Sequence, residues 1–148
     1  MKDQLVLRVV AKCMIPPILV FGGYIITHGE LGPGGGFQGG VVLASAFIIY
    51  ALIYGRDALH RAFPRQLWIV LGALGVLFYI GVGMVGMLSG GQFLDYHALA
   101  PDHGEHGEPL GMSLVEYGVG VTVCAVMVMI FDMICETADD VDDSQVAK

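Results

Sequence analysis

Charge is scarce in this chain. Only 14% of its 148 residues are Asp, Glu, Lys or Arg, against 55% hydrophobic residues, and the mean hydropathy is +0.71. That leaves too little polar surface to cover a soluble globule, so the composition places the chain in lipid. Basic residues are the rarer sign, seven against fourteen acidic ones for a net charge of −7, and so acidic a chain gives no footing for nucleic-acid binding. Cysteine is limited to Cys13, Cys124 and Cys135, an odd number. Cys124 and Cys135 lie on one apolar run, separated by a helical rise of about 16 Å, too far to bond to each other. The three read as apolar packing residues. No Ser-His-Asp or Cys-His set stands out, and no Gly-Lys-Ser/Thr closes a phosphate loop, so the residues support neither an enzyme nor a cofactor.

What the chain does have is long apolar runs. Four reach the roughly 20 helical residues needed to cross a hydrocarbon core about 30 Å thick: Leu5 to Thr27, Gly36 to Tyr54, Leu67 to Ser89 and Met112 to Cys135. The expected fold is therefore an all-α integral membrane protein of about four transmembrane helices, with a glycine-rich hairpin between the first two. Residues 1–136 form the membrane domain and residues 137–148 an acidic, disordered tail carrying Asp139, Asp140, Asp142 and Asp143. Like charges so close together repel and stay hydrated, so the tail reads as a solubilising end.

Orientation follows from the basic residues. Lys2, Arg8 and Lys12 open the chain, Arg56, Arg61 and Arg65 separate the second and third runs, and Lys148 ends it. All fall on one side if both termini are cytoplasmic, which places the protein as multi-pass in the cell (inner) membrane. The loop between the third and fourth runs, with Asp95, Asp102, Glu105 and Glu108 and no basic residue, then faces outward. A signal peptide is the competing reading of the first run, but no small-x-small cleavage site ends it, and it is taken as a retained helix.

The least generic segment is His28 to Gly40, with seven glycines and one proline in thirteen residues. Such a stretch cannot continue an ordinary helix, and at membrane depth its backbone needs cover from protein or a wet cavity. Gly34, Gly36 and Gly39 satisfy G-x-G-x-x-G, but a membrane run precedes them where a dinucleotide site needs a strand, so the match is coincidental.

Several residues inside or beside the runs merit attention. Pro16 and Pro17 cannot donate to the carbonyls of Lys12 and Cys13, so a kink is expected and two acceptors are freed beside the Lys12 ammonium. Arg8, one turn earlier, can snorkel to the interface; Lys12 is deeper, and points either to the interface or to a partner or polar cavity. Glu116 lies about one turn inside the outer end of the fourth run, flanked by Gly118 and Gly120, and is the best carboxylate for handling a proton or cation. Asp132 and Glu136, at the inner end, need only reach water. The third run carries Gly72, Gly75, Gly81, Gly83 and Gly86, spaced for close helix packing. Asp95, His97, His103 and His106 lack a closed metal-ligand spacing and read as a solvated loop.

Pro33, Gly34, Gly35, Gly36, Phe37, Gln38, Gly39 and Gly40, preceded by His28, together with Leu7-Arg8-Val9-Val10 ahead of Pro16 and Pro17, resemble the B subunit of the multisubunit Mrp-type (Mnh) cation/proton antiporter. Equivalent subunits are built into some membrane-bound hydrogenases and respiratory complexes. The resemblance covers about residues 5 to 135; the long His- and acid-rich stretch from Gly90 to Gly111 and the polar spacing from His28 to Pro33 depart from it. It implies a small, non-catalytic integral subunit of an assembly that exchanges Na+ or another monovalent cation for H+. Its partners would be the other integral subunits, lipid, Na+ and H+. On this reading the block from Pro33 to Gly40 packs against a neighbouring subunit and opens the second helix, while His28 and Glu30 border a polar path. Histidine suits such a place because it exchanges protons near neutral pH. Two alternatives are a purely structural scaffold of a respiratory or hydrogenase-type complex, and a small homo-oligomeric transporter.

Overall fold

The computed structural model describes residues 4–29, 34–94 and 104–146. Its elements are five helices: α1 (Gln4–Thr27), α2 (Gly36–Tyr54), α3 (Arg56–Ala62), α4 (Arg65–Leu88) and α5 (Gly104–Val146). Four helical stretches are long and apolar enough to cross a membrane, Leu5–Thr27, Gly36–Tyr54, Arg65–Leu88 and Gly111–Asp139, close to the four runs read from sequence. The described residues contain no strand. The short α3 is new.

Local chemistry sets the ends of these elements. α1 passes through Pro16 and Pro17 without interruption and stops at Thr27, whose hydroxyl donates to the carbonyls of Gly23 (3.2 Å) and Tyr24 (2.9 Å). The chain then doubles back, and the Gly35 N–H donates to the Ile25 carbonyl at 3.3 Å. Gly35 has φ +123°, open to glycine and strained for other residues, and α2 begins immediately after it. At the far end Gly55 (φ +92°) donates its N–H to Ala51 and turns the chain into α3. Pro64 then precedes the first residue of α4.

In space α2 packs against both α1 and α5, and α5 against both α2 and α4. The buried core at the α3 end joins Ala44 and Ala51 of α2, Leu59 of α3, Trp68 of α4, and Cys124, Ala125 and Val128 of α5. Phe47 and Phe63 close over the Trp68 ring, at 4.9 and 5.9 Å between centroids. Lipid tails are as apolar as these side chains, so close backbone approach has to do the work that hydrophobicity does in water. The glycines supply it. A β-carbon on Gly75 would collide with Thr122 and lie 2.7 Å from the Gly118 carbonyl, so α4 meets α5 nearly backbone to backbone.

All three cysteines are free: Cys13 is exposed, Cys124 buried and Cys135 half-buried. α5 is 43 residues long, about 65 Å at 1.5 Å per residue, twice a hydrocarbon core. It extends to Val146 and covers most of the stretch read from sequence as disordered tail.

Candidate functional site

The hairpin closes on Glu116. A β-carbon on Gly29 would lie 2.5 Å from both carboxylate oxygens of Glu116 and 2.7 Å from the Gly35 α-carbon, and one on Gly36 would collide with the Glu116 carbonyl. Both arms of the hairpin and the fourth membrane helix therefore share a space with no room for side chains. Two further glycines pack as closely: a β-carbon on Gly39 would collide with Ile26 and lie 2.8 Å from the Gly22 carbonyl, and one on Gly40 would lie 2.6 Å from the Gly120 carbonyl. Ile26, 5% exposed, fills the notch between Gly39 and Gly120.

This placement gives the Glu116 carboxylate a defined environment. Its Oε2 is shielded from solvent, and its Oε1 faces Gly35, immediately ahead of α2, 3.4 Å from where a β-carbon would sit. The unpaired N–H groups of a helix N-terminus favour a negative charge. Gln38 Oε1 lies 3.9 Å from the same point, so two side-chain oxygens converge over Gly35. A hard cation taking about six oxygens would draw the others from water, backbone or a neighbouring chain. A half-buried carboxylate within a membrane-spanning helix is the residue on which an ion or proton role falls first.

The other residues singled out from sequence do not all join this place. His28 is exposed just beyond α1, with its ring stacked on Tyr24 at 4.1 Å between centroids and its Nδ1 3.1 Å from the Thr27 hydroxyl. Glu30 and Pro33 lie outside the described residues, as do Asp95, His97 and His103 of the outer loop. Lys12 is exposed on α1, sixteen residues before His28 and so about 24 Å away along the helix; it belongs to the opposite end of the bundle. Gly36, Gly39 and Gly40 of the glycine block pack on α1 and α5 of their own chain, and Phe37 is the block's exposed apolar side chain, at 65%. Gly72 and Gly75 of α4 likewise face α5.

A second polar cluster was not legible as such. Asp132, expected only to reach water, is 5% exposed. Its Oδ1 accepts from Arg56 Nε at 3.1 Å and lies 3.0 Å from His60 Nε2. Arg56 also donates to Asp139 at 2.7 Å, and Arg65 to Glu136 at 3.1 Å. Burial alone would lower the Arg56 pKa, but hydrogen bonds and attraction to Asp132 and Asp139 outweigh it and hold the guanidinium above its ordinary value. Arg56, Asp57, His60 and Asp139 line a cavity of about 340 Å³. The signal present in the sequence was a lone acid in the apolar run Ile130-Phe131-Asp132-Met133-Ile134 together with Arg56 and His60 four residues apart.

Four membrane-length helices, a hairpin folded onto one of them and a charged belt at the opposite end define a multi-pass helical membrane protein. Comparison with known proteins narrows this. A family model described as a domain related to the MnhB subunit of Na+/H+ antiporter matches residues 6–129. A Staphylococcus epidermidis protein named as antiporter subunit mnhB2 is 30% identical over 135 residues, 87% of this chain and 92% of the relative. The mnhB2 protein of Staphylococcus aureus strain Newman is 31% identical over 96 residues, 65% of this chain and 67% of its own length. The protein MJ1307 of Methanocaldococcus jannaschii is 34% identical over 89 residues, 60% of this chain but 34% of that protein. The chain belongs to the MnhB-related family.

Proposed function

We propose that this chain is a non-catalytic subunit of a multisubunit antiporter that exchanges Na+ or another monovalent cation for H+, working beside the other integral subunits of that assembly. Membership of the MnhB-related family and the mnhB2 relatives support the reading. The chain is unsuited to moving ions alone, because the interiors of α2 and α4 hold no acidic or basic residue. Any ion route that touches it is shared with partners.

The observation that carries a role beyond assembly is the Glu116 carboxylate, which faces Gly29 and Gly35 from within a membrane helix. In this account Glu116 borders the polar path, with Gln38 beside it and His28 and Glu30 at its margin. Residues 1–136 form the membrane domain and 137–148 the cytoplasmic tail. Arg8, Arg56, Arg61 and Arg65 share one end of the bundle, which supports cytoplasmic termini and an outward-facing hairpin.

The test uses everted membrane vesicles from cells lacking the gene, complemented with the native chain or with Glu116→Gln. The native chain is expected to restore Na+-driven dissipation of a pH gradient. The glutamine variant is expected to restore assembly without exchange. Full exchange with Glu116→Gln would leave the scaffold reading, which the internal packing of the glycine block favours.

A further inference from the structure

The exposed face of α1 is chemically unlike a surface meant for lipid. Val9, Lys12, Cys13, Pro16 and Val20 fall at the spacing of one helical stripe and are exposed. All lie within the apolar stretch Leu5–Thr27. Tyr54, the last residue of α2, fixes the level of the charged end on α1: its hydroxyl donates to the Arg8 carbonyl at 3.1 Å, and the Arg8 guanidinium lies 5.9 Å from its ring centre. Lys12 is one turn deeper than Arg8, about 6 Å. α1 contains no Asp or Glu, and among the described residues Lys12 makes no ion pair.

Snorkelling could carry the ammonium to the interface, but it cannot answer for the backbone. Pro16 and Pro17 stand inside the continuous helix, so the carbonyls of Lys12 and Cys13 receive no helical N–H. Acyl chains offer no donor, and an uncovered acceptor in hydrocarbon is costly. A lipid phosphate would pair with the ammonium and leave both carbonyls unmet, because it too is an acceptor.

We propose that this face of α1 is a docking surface for a membrane helix of a neighbouring subunit, one that presents a carboxylate to Lys12 and a side-chain donor to the freed carbonyls. The inference rests on the reading of the chain as one subunit of a larger membrane assembly, and names the chemistry of its neighbour there.

Cys13, exposed on this stripe in the isolated chain, marks the position for the probe. The tagged full chain is synthesised with the photo-crosslinking residue p-benzoylphenylalanine in place of Cys13, irradiated in native membranes and purified in mild detergent. The expected product joins the probe to another integral subunit, at a segment within a turn of an Asp or Glu. Lys12→Glu should lower that adduct about tenfold by setting like charges together, Lys12→Arg should retain it, and exchanging the mapped carboxylate for Lys should rescue Lys12→Glu. Adducts to lipid alone, to a second copy of this chain, or unchanged by Lys12→Glu would overturn the proposal. If other subunits co-purify while the probe marks only lipid, the docking inference fails and the antiporter reading stands; if none co-purify, both fail.

Discussion

Glu116 and Gly29 touch across the hairpin: both carboxylate oxygens lie 2.5 Å from where a β-carbon on the glycine would be. The carboxylate could swing away from an added methyl group, but the Gly35 α-carbon, 2.7 Å from the same point, could not, so backbone packing is what calls for glycine where the end of α1, the start of α2 and α5 meet. The carboxylate thereby sits where three of the four membrane-length helices meet. If it also exchanges a proton or meets a cation, the change in its charge is felt directly at the hairpin.

Substitutions of glycine should divide sharply by place. Gly36→Ala sets a methyl group against the Glu116 backbone, where neither side can yield, whereas Gly81 has open space around its β-position. Overpacking typically costs about 1–3 kcal/mol. Gly36→Ala is expected to lower the unfolding free energy of the detergent-solubilised protein by that measure, and Gly81→Ala to leave it unchanged, as denaturant titration of the two variants would read.

The charged end should also show two classes of ion pair. Asp132 is buried and serves both Arg56 and His60, while Arg65 and Glu136 are about half-exposed. Asp132→Ala is expected to cost about 1.5–3 kcal/mol, as loss of a charged hydrogen-bond partner does. Arg65→Ala should cost less than about 1 kcal/mol and should matter less still at high salt. Chemical denaturation of both variants at two salt concentrations reads the difference.

Thiol chemistry offers a direct check on the packing. In the isolated chain in detergent, Cys13 is expected to react readily with a small maleimide, and Cys124, 7% exposed beside Ala125 and Val128, only on unfolding. Mass spectrometry of the labelled peptides gives the order. Ready labelling of Cys124 in the folded protein would mean that the α2–α4–α5 core is not closed as described.

Much of the architecture was legible because a bilayer leaves few choices. Long apolar runs must be helices, and the four read from sequence match the four membrane-length stretches within a few residues. Glu116 could be singled out because a carboxylate inside such a run is unusual. Its partners could not, since nothing in the spacing of Gly29, Gly35 and Glu116 says that a hairpin folds onto the fourth run rather than onto another subunit. Asp132 was misjudged for a related reason. Its depth was read from its position near the end of an apolar run, and only the unforeseen α3 carries Arg56 and His60 over it. Lys12 and Glu116, both singled out as polar residues within apolar runs, lie at opposite ends of the bundle.

The most direct measurement is the subunit content of this protein, tagged at its own expression level and extracted in mild detergent, together with cation/proton exchange by the recovered particle in liposomes. The expected result is a many-subunit membrane assembly that exchanges Na+ or another monovalent cation for H+. Exchange should fall about tenfold or more, the equivalent of ~1.4 kcal/mol, with Glu116→Gln while the subunit set stays the same. Recovery as a small homo-oligomer that transports by itself would contradict the antiporter reading.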